Sequence, residues 1–197
     1  MSDNGLMKTQ LRLPQIGGTS MTALDLLNIP EVLKTCTIGK VKNSPHRTLI
    51  ANYMNRLPEM VKTRQGLYLW GEYGQGKSAL AAIILMEAIK YDIIGFWISA
   101  KQLPGYVINH TEWLEGIDYY NRAVMVPLLV IDEFQTRQEV KFQESCVEDL
   151  VRVRVAMNKP TIITSNIVPA VLKSIYPAFF SVLQECFASE HVQGYDW

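Results

Sequence analysis

The chain has 197 residues, 48% of them hydrophobic and 19% charged, which suits one packed α/β domain with a short extension. Its 19 basic and 19 acidic side chains cancel, so a protein held to nucleic acid by a global positive field is excluded. Three scattered cysteines, Cys36, Cys146 and Cys186, make neither a zinc pattern nor a disulfide framework and are expected as buried, reduced thiols.

Residues 1 to about 20 are mostly polar, with Gly17-Gly18-Thr19-Ser20 as a flexible connector. Met1-Ser2-Asp3-Asn4-Gly5 carries no charged-then-apolar leader, and no apolar stretch is long enough to cross a bilayer. A soluble, cytoplasmic chain without membrane association is the expectation. Thr22 to Lys34 reads as a short helix interrupted by Pro30. Ser44-Pro45 offers an N-cap and a first-turn proline. The helix that follows, His46 to Lys62, is amphipathic through Leu49, Ile50, Tyr53, Met54, Leu57 and Val61, and Pro58 should kink or split it. These signals divide the chain into an arm, 1–44, able to dock a partner, and a core, 45–197.

Gly66-Leu67-Tyr68-Leu69-Trp70 reads as an apolar strand, and Ala79 to Ile89 as a buried helix. Between them lies Gly71-Glu72-Tyr73-Gly74-Gln75-Gly76-Lys77-Ser78, which matches the phosphate-binding pattern G-x-x-x-x-G-K-[ST]. Glycines let consecutive N–H groups converge on phosphate oxygens, and the start of the helix, from Ala79, adds partial positive charge. In this pattern Lys77 reaches the β- and γ-phosphates and Ser78 holds Mg²⁺. Tyr73 and Gln75 occupy positions that tolerate any residue.

Further strands are expected at Gly95–Ser99, Pro127–Ile131 and Pro160–Ser165, separated by helices, the longest from Gln138 to Met157. On that helix Glu144, Glu148 and Asp149 read as a solvated face, with Glu148 four residues before Arg152. Pro169 to Ala188 reads as one or two helices broken near Pro177, and a last short strand is expected near His191 to Trp197. The run Leu128-Leu129-Val130-Ile131 delivers Asp132 and Glu133 to the C-terminal end of a strand, where ligands bind in open α/β sheets. Asp132 suits a Mg²⁺ ligand and Glu133 a base that polarises water. Thr161-Ile162-Ile163-Thr164-Ser165-Asn166 is a third buried strand ending in polar side chains; Asn166 could meet the γ-phosphate or the lytic water, and Thr164 and Ser165 are weaker candidates for the same task.

The ordered series GEYGQGKS, LLVIDEF, KPTIITSN and GYDW resembles the AAA+ ATPases of the DnaC/DnaI helicase-loader and IstB group, over roughly residues 45–197. The resemblance implies a P-loop NTPase fold of the ASCE type: a five-stranded parallel sheet in the order 5-1-4-3-2, helices on both faces, and a lid domain reduced or absent. It implies ATP and Mg²⁺ as ligands, Lys77 and Ser78 as Walker A, Asp132 and Glu133 as Walker B, and Asn166 as sensor 1. It also implies a replicative helicase or a transposase as partner, single-stranded DNA, and assembly of several copies with ATP between them. The small size suits a phage or another mobile replicon.

No arginine follows Arg154, and the group's closing G-x-D-[YW]-R stops here at Gly194-Tyr195-Asp196-Trp197. An arginine finger contributes on the order of 10³-fold or more to turnover, so weak intrinsic ATPase activity is expected. Arg122, Arg137, Arg152 and Arg154 are candidates to act in trans, with Arg154 favoured by motif position over the others and a structural ion pair as its plainer role. Trp97 reads as core. Trp113, Tyr119 and Tyr120, near Lys101 and Arg122, suit either packing or stacking on single-stranded bases. His46, His110 and His191 have no metal-ligand spacing. Two other classes fit less of the chain. A nucleotide-gated binding module with little hydrolysis agrees with the missing arginines. A small-molecule kinase lacks its usual Arg-rich lid.

Overall fold

Strands that bury both faces need helices above and below, and the apolar runs of this chain obtain them. The computed structural model describes residues 15–16, 19–20, 22–41, 45–108, 119–135 and 141–193. Trp113, Arg137 and the closing Gly194–Trp197 fall outside these, as do Ser44 and the Gly17-Gly18 connector. A short antiparallel pair, β1 (Gln15–Ile16) and β2 (Thr19–Ser20), comes first. The helix expected over Thr22–Lys34 is instead two 3-10 turns, Asp25–Leu27 and Glu31–Leu33, with Pro30 between them. A third 3-10 turn covers Ile38–Lys40.

Then α1 (Pro45–Asn55) and α2 (Leu57–Thr63) split at Arg56, with Pro58 in the first turn of α2, where its missing N–H costs nothing. β3 (Gly66–Trp70) leads through the phosphate-loop sequence into α3 (Lys77–Ala88). β4 (Gly95–Ser99), α4 (Leu103–Ile108), α5 (Tyr119–Met125), β5 (Leu128–Phe134), α6 (Lys141–Ala156) and β6 (Thr161–Ser165) follow. The chain turns back through α7 (Pro169–Ile175) and α8 (Pro177–Cys186), divided at Pro177, into β7 (Phe187–His191). The last strand thus lies earlier than the His191–Trp197 expected, because Phe187 is buried and Gly66 to Trp70 pair with Phe187 to His191.

The five longer strands form one parallel sheet in the order β4-β5-β6-β3-β7. Numbered from the strand before the phosphate loop, this is 2-3-4-1-5, the expected order read from the other edge. Alternate strand residues face opposite layers, as the two-residue period requires. Leu67, Leu69, Trp97, Val130 and Ile162 pack under α1, α2 and α3. Tyr68, Phe96, Ile98, Ile131 and Ile163 pack under α4 to α8. Among the described residues, no helix is long and apolar enough to cross a membrane.

Further sequence expectations change. The boundary at residue 44 cuts through a packed unit. Leu27, Ile29 and Val41 are buried in the same core as α3, and Asn28 Nδ2 donates to the Trp97 carbonyl at 2.9 Å. Residues 22–41 therefore belong to the domain. Secondly, Glu144 is buried rather than solvated, since it lies on the stripe Glu144–Val147–Val151–Arg154 that α6 turns inward. Glu148 and Arg152 do form the expected exposed pair, at 2.7 Å. The thiols are free: Cys146 is buried, while Cys36 and Cys186 are only half-buried. Because Leu27 is fully buried, Leu27→Ala is expected to cost about 2–5 kcal/mol of stability. Urea unfolding of the full chain would show this, and a shift below about 1 kcal/mol would return residues 22–41 to the status of an arm.

Candidate functional site: a phosphate-loop cleft

The loop between β3 and α3 is shaped by three glycines. Gly71, Gly74 and Gly76 have φ of 151°, 76° and 83°, values that side-chain-bearing residues avoid. At Gly71 a Cβ would stand 2.1 Å from the Val192 carbonyl oxygen. That residue is clamped on two sides, since its N–H donates to the Ser165 carbonyl at 3.3 Å and Val192 N–H donates to the Trp70 carbonyl at 2.7 Å. Trp70 stacks on His191 with ring centroids 4.0 Å apart, tying the end of β7 to the base of the loop.

Lys77 is buried and folds back on its own loop. Its Nζ donates to the carbonyls of Gly71 at 2.9 Å and Glu72 at 2.6 Å. Burial pushes its pKa down, while the Asp132 carboxylate opposes that shift. Ser78, one residue on, donates from Oγ to Asp132 Oδ1 at 2.7 Å. Thr164 Oγ1 donates to the same oxygen at 2.5 Å. Burial raises the Asp132 pKa, and the hydrogen bonds from Thr164 and Ser78 pull it back. Glu133, by contrast, is exposed.

Lys77, Ser78, Thr164 and Glu133 line a cleft of about 430 Å³, and Asp132 is joined to that lining by its hydrogen bonds with Ser78 and Thr164. Tyr73, Gly74, Gly76 and Ala79 also line it, as do Ser165 and Asn166. The residues expected from Walker A, Walker B and sensor 1 are thereby brought together. Gly71 and Glu72 take part through their carbonyls. Gln75 belongs to the loop but not to the cleft lining. Ser78 and Asp132 converge as hard oxygen donors, a fit to Mg²⁺, which prefers few protein ligands and completes its shell with phosphate and water. Among the described residues no group of three His, Cys, Asp or Glu could hold a metal, so a dedicated protein cage is not the alternative.

Sequence reasoning missed one wall. Val32, Leu33 and Cys36, from the 3-10 turn Glu31–Leu33 and the residues after it, line the cleft as well. Val32 and Tyr73 are 77% and 69% exposed, the two most exposed large apolar side chains among the described residues, and both border this cleft. No local pattern marks residues 32–36; their place follows from the long-range docking of Leu27, Ile29 and Val41.

Arg154 is not placed as a finger in trans, nor as an ion pair. It is fully buried, with Nε donating to Thr161 Oγ1 at 2.9 Å and NH1 and NH2 donating to the carbonyls of Ala123, Val124, Val126 and Pro160. It thus ties the end of α5 to the start of β6, and burial lowers its pKa to about 9, still charged near neutrality. Arg122 lies over the Phe96 ring and donates to the Leu26 carbonyl, and Tyr119 stacks on Tyr106, so packing accounts for these groups.

The fold is that of an AAA+ P-loop nucleoside triphosphatase, with the phosphate loop, the strand-end carboxylates and the polar end of the fourth strand in register. No protein-family model and no curated protein matches the sequence. Solved structures do match. The DnaC helicase loader has a TM-score of 0.72 at 16% identity, covering 83% of this chain and 100% of that one. A proposed primosome component of Streptococcus pyogenes serotype M3 has a TM-score of 0.68 at 18% identity, covering 89% and 97%. AMPPCP-bound DnaA from Aquifex aeolicus has a TM-score of 0.65 at 16% identity, covering 80% of this chain and 50% of that one.

Removing the Arg154 guanidinium strands several buried acceptors. Arg154→Met is expected to destabilise the fold by about 3–5 kcal/mol, read by chemical denaturation. A finger role predicts the opposite pattern, native stability with lost turnover.

Proposed function

We propose that this chain is an ATPase that loads a replicative DNA helicase, engaging helicase and single-stranded DNA in an assembly of several copies with Mg-ATP between them. One observation carries the nucleotide part: Lys77 and Ser78, from the start of α3, and Glu133, from the end of β5, line one cleft, and Ser78 is hydrogen-bonded to Asp132, the neighbour of Glu133 in sequence. The likeness in fold to the DnaC helicase loader and to DnaI supports the loader part. The site is of the kind that works inside the cytoplasm, where ATP and the replication machinery meet.

Each residue has a task in this reading. Backbone N–H groups of Gly74 to Ser78 receive the phosphates at the start of α3. Lys77 exchanges its two loop carbonyls for phosphate oxygens, so its present bonds hold it ready rather than idle. Ser78 and Asp132 would hold Mg²⁺, which supplies charge neutralisation on the phosphates when bound. Glu133 accepts a proton from the attacking water, and Asn166 orients that water or the terminal phosphate. Val32, Leu33 and Cys36 give the nucleotide an apolar surface.

A second reading has its own support. Among the described residues no arginine lines the cleft, so Lys77 is left without the second, arginine partner that a finger would give the transferred phosphoryl. A switch that binds ATP and waits for a partner's cation fits that lack.

Steady-state hydrolysis at rising protein concentration, with and without single-stranded DNA, separates the two. Turnover that grows with concentration or DNA and falls at least about 100-fold in Lys77→Ala and Glu133→Gln supports the assembling ATPase. Measurable ATP binding with no turnover under any condition selects the switch. Co-purification with a transposase in place of a hexameric helicase would overturn the loader assignment.

A further inference from the structure

The β5–β6 ladder contains an irregularity at its functional end. Ile131 pairs with Ile163, but the next aligned pair is Phe134 with Ser165. Two residues, Asp132 and Glu133, therefore stand opposite one, Thr164. That is a β-bulge, a device that re-aims side chains beside active sites.

The bulge decides which carboxylate is buried. Leu129 and Ile131 face the layer of α4 to α8. Strict alternation would send Glu133 into that layer and Phe134 to the other face. Instead Phe134 joins the α4–α8 core at 1% exposure, Asp132 is 8% exposed and Glu133 is exposed. The extra residue moves Phe134 into the core position and expels Glu133 into the cleft. Glu133 pays with φ of 59°, in the left-handed region that a carboxylate-bearing residue rarely adopts.

A bulge also leaves backbone groups outside the ladder, and a buried N–H needs a partner. Two hydroxyls supply what the ladder does not. Thr164 Oγ1 accepts the Glu133 N–H at 3.0 Å and donates its one proton to Asp132 Oδ1 at 2.5 Å. Ser165 Oγ donates to the Phe134 carbonyl at 2.7 Å and accepts the Ile167 N–H at 3.0 Å. Every atom of the Asp132-Glu133-Phe134 turn that these bonds engage is held from β6.

We propose that Thr164, seconded by Ser165, is a positioning residue that latches this bulge and so assigns the carboxylates their separate tasks, Asp132 to the metal and Glu133 to water. The structural half stands on the ladder and the hydroxyl bonds; the catalytic half rests on the function proposed above. Thr164 acts through its neighbours and needs no contact with the reacting atoms.

Thr164→Val is nearly isosteric and removes both hydrogen bonds, while Thr164→Ser keeps them and removes only the methyl. The first readout needs no nucleotide: amide hydrogen exchange across residues 130–135 of the full chain, resolved by fragmentation. Thr164→Val should speed exchange at Glu133 about tenfold or more, and Thr164→Ser should stay within about twofold of the parent. The second readout is turnover. Thr164→Val should lower kcat about 100-fold with KM within about threefold, the size of effect that misplacing a reacting group produces, and Thr164→Ser should recover most of it. Parent-like exchange in Thr164→Val would overturn the latch, as would equal damage in both variants. Parent-like kcat in Thr164→Val would overturn the catalytic half. If the parent shows no turnover with DNA or partner while exchange follows the prediction, the latch stands and the hydrolytic reading fails.

Discussion

The parallel pairing of β3 with β6 sets the phosphate loop beside the polar strand end in the cleft. It places Trp70 opposite Ser165, so the phosphate loop leaves the sheet beside the polar end of β6. From there β6 meets β5, and the Ser78–Asp132 hydrogen bond closes the triangle between the loop helix, the central strand and its neighbour. Slipping β6 by one residue would turn Thr164 away from Asp132 and send Ile163 to the wrong layer. Two apolar layers resist that slip, because every strand residue from 161 to 164 is buried. Packing on both faces thus fixes the geometry of a handful of polar atoms at one end.

Outside the sheet, polar groups do structural work without ion pairs. The ion pairs among the described residues join partners at least partly exposed to solvent, and pairs of that kind contribute about 0–1 kcal/mol each. The fully buried guanidinium of Arg154 is held by neutral carbonyls and a hydroxyl rather than by a carboxylate. Five donors in a planar fork suit several carbonyls at the end of a helix, which a lysine could not match. This binds α5 to β6 and so holds the strand that carries Thr164, Ser165 and Asn166 from behind.

Much of this was legible in the sequence because the signals are short-range. A phosphate loop is eight consecutive residues, and a strand-end carboxylate pair needs only its apolar run. The sheet order came with the family resemblance, not from periodicity. What stayed hidden depends on distant partners or on one residue of register. Residues 22–41 look like an arm because Pro30 and Gly39 break up their apolar residues, Leu24, Leu26, Leu27, Ile29, Val32, Leu33, Ile38 and Val41, so no long period forms. The bulge is invisible because no residue type announces it; two hydroxyls opposite two carboxylates were the nearest clue. At Arg154 and Glu144 charge and periodicity point opposite ways: Val147, Leu150 and Val151 mark the inward face of α6, and positions 144 and 154 continue it.

The exposed pair Val32 and Tyr73 has a consequence for how the protein lives when its cleft is empty. Large apolar side chains held in water at the lips of a cavity cost hydration free energy that any occupant recovers. A ligand that binds only the folded chain also adds stability by mass action, about 2.7 kcal/mol at a hundred times its dissociation constant. The ligand concentration around the protein then acts as a thermostat on its folded fraction. On the function proposed above, the level of the bound nucleotide would be read twice, once as chemistry and once as lifetime.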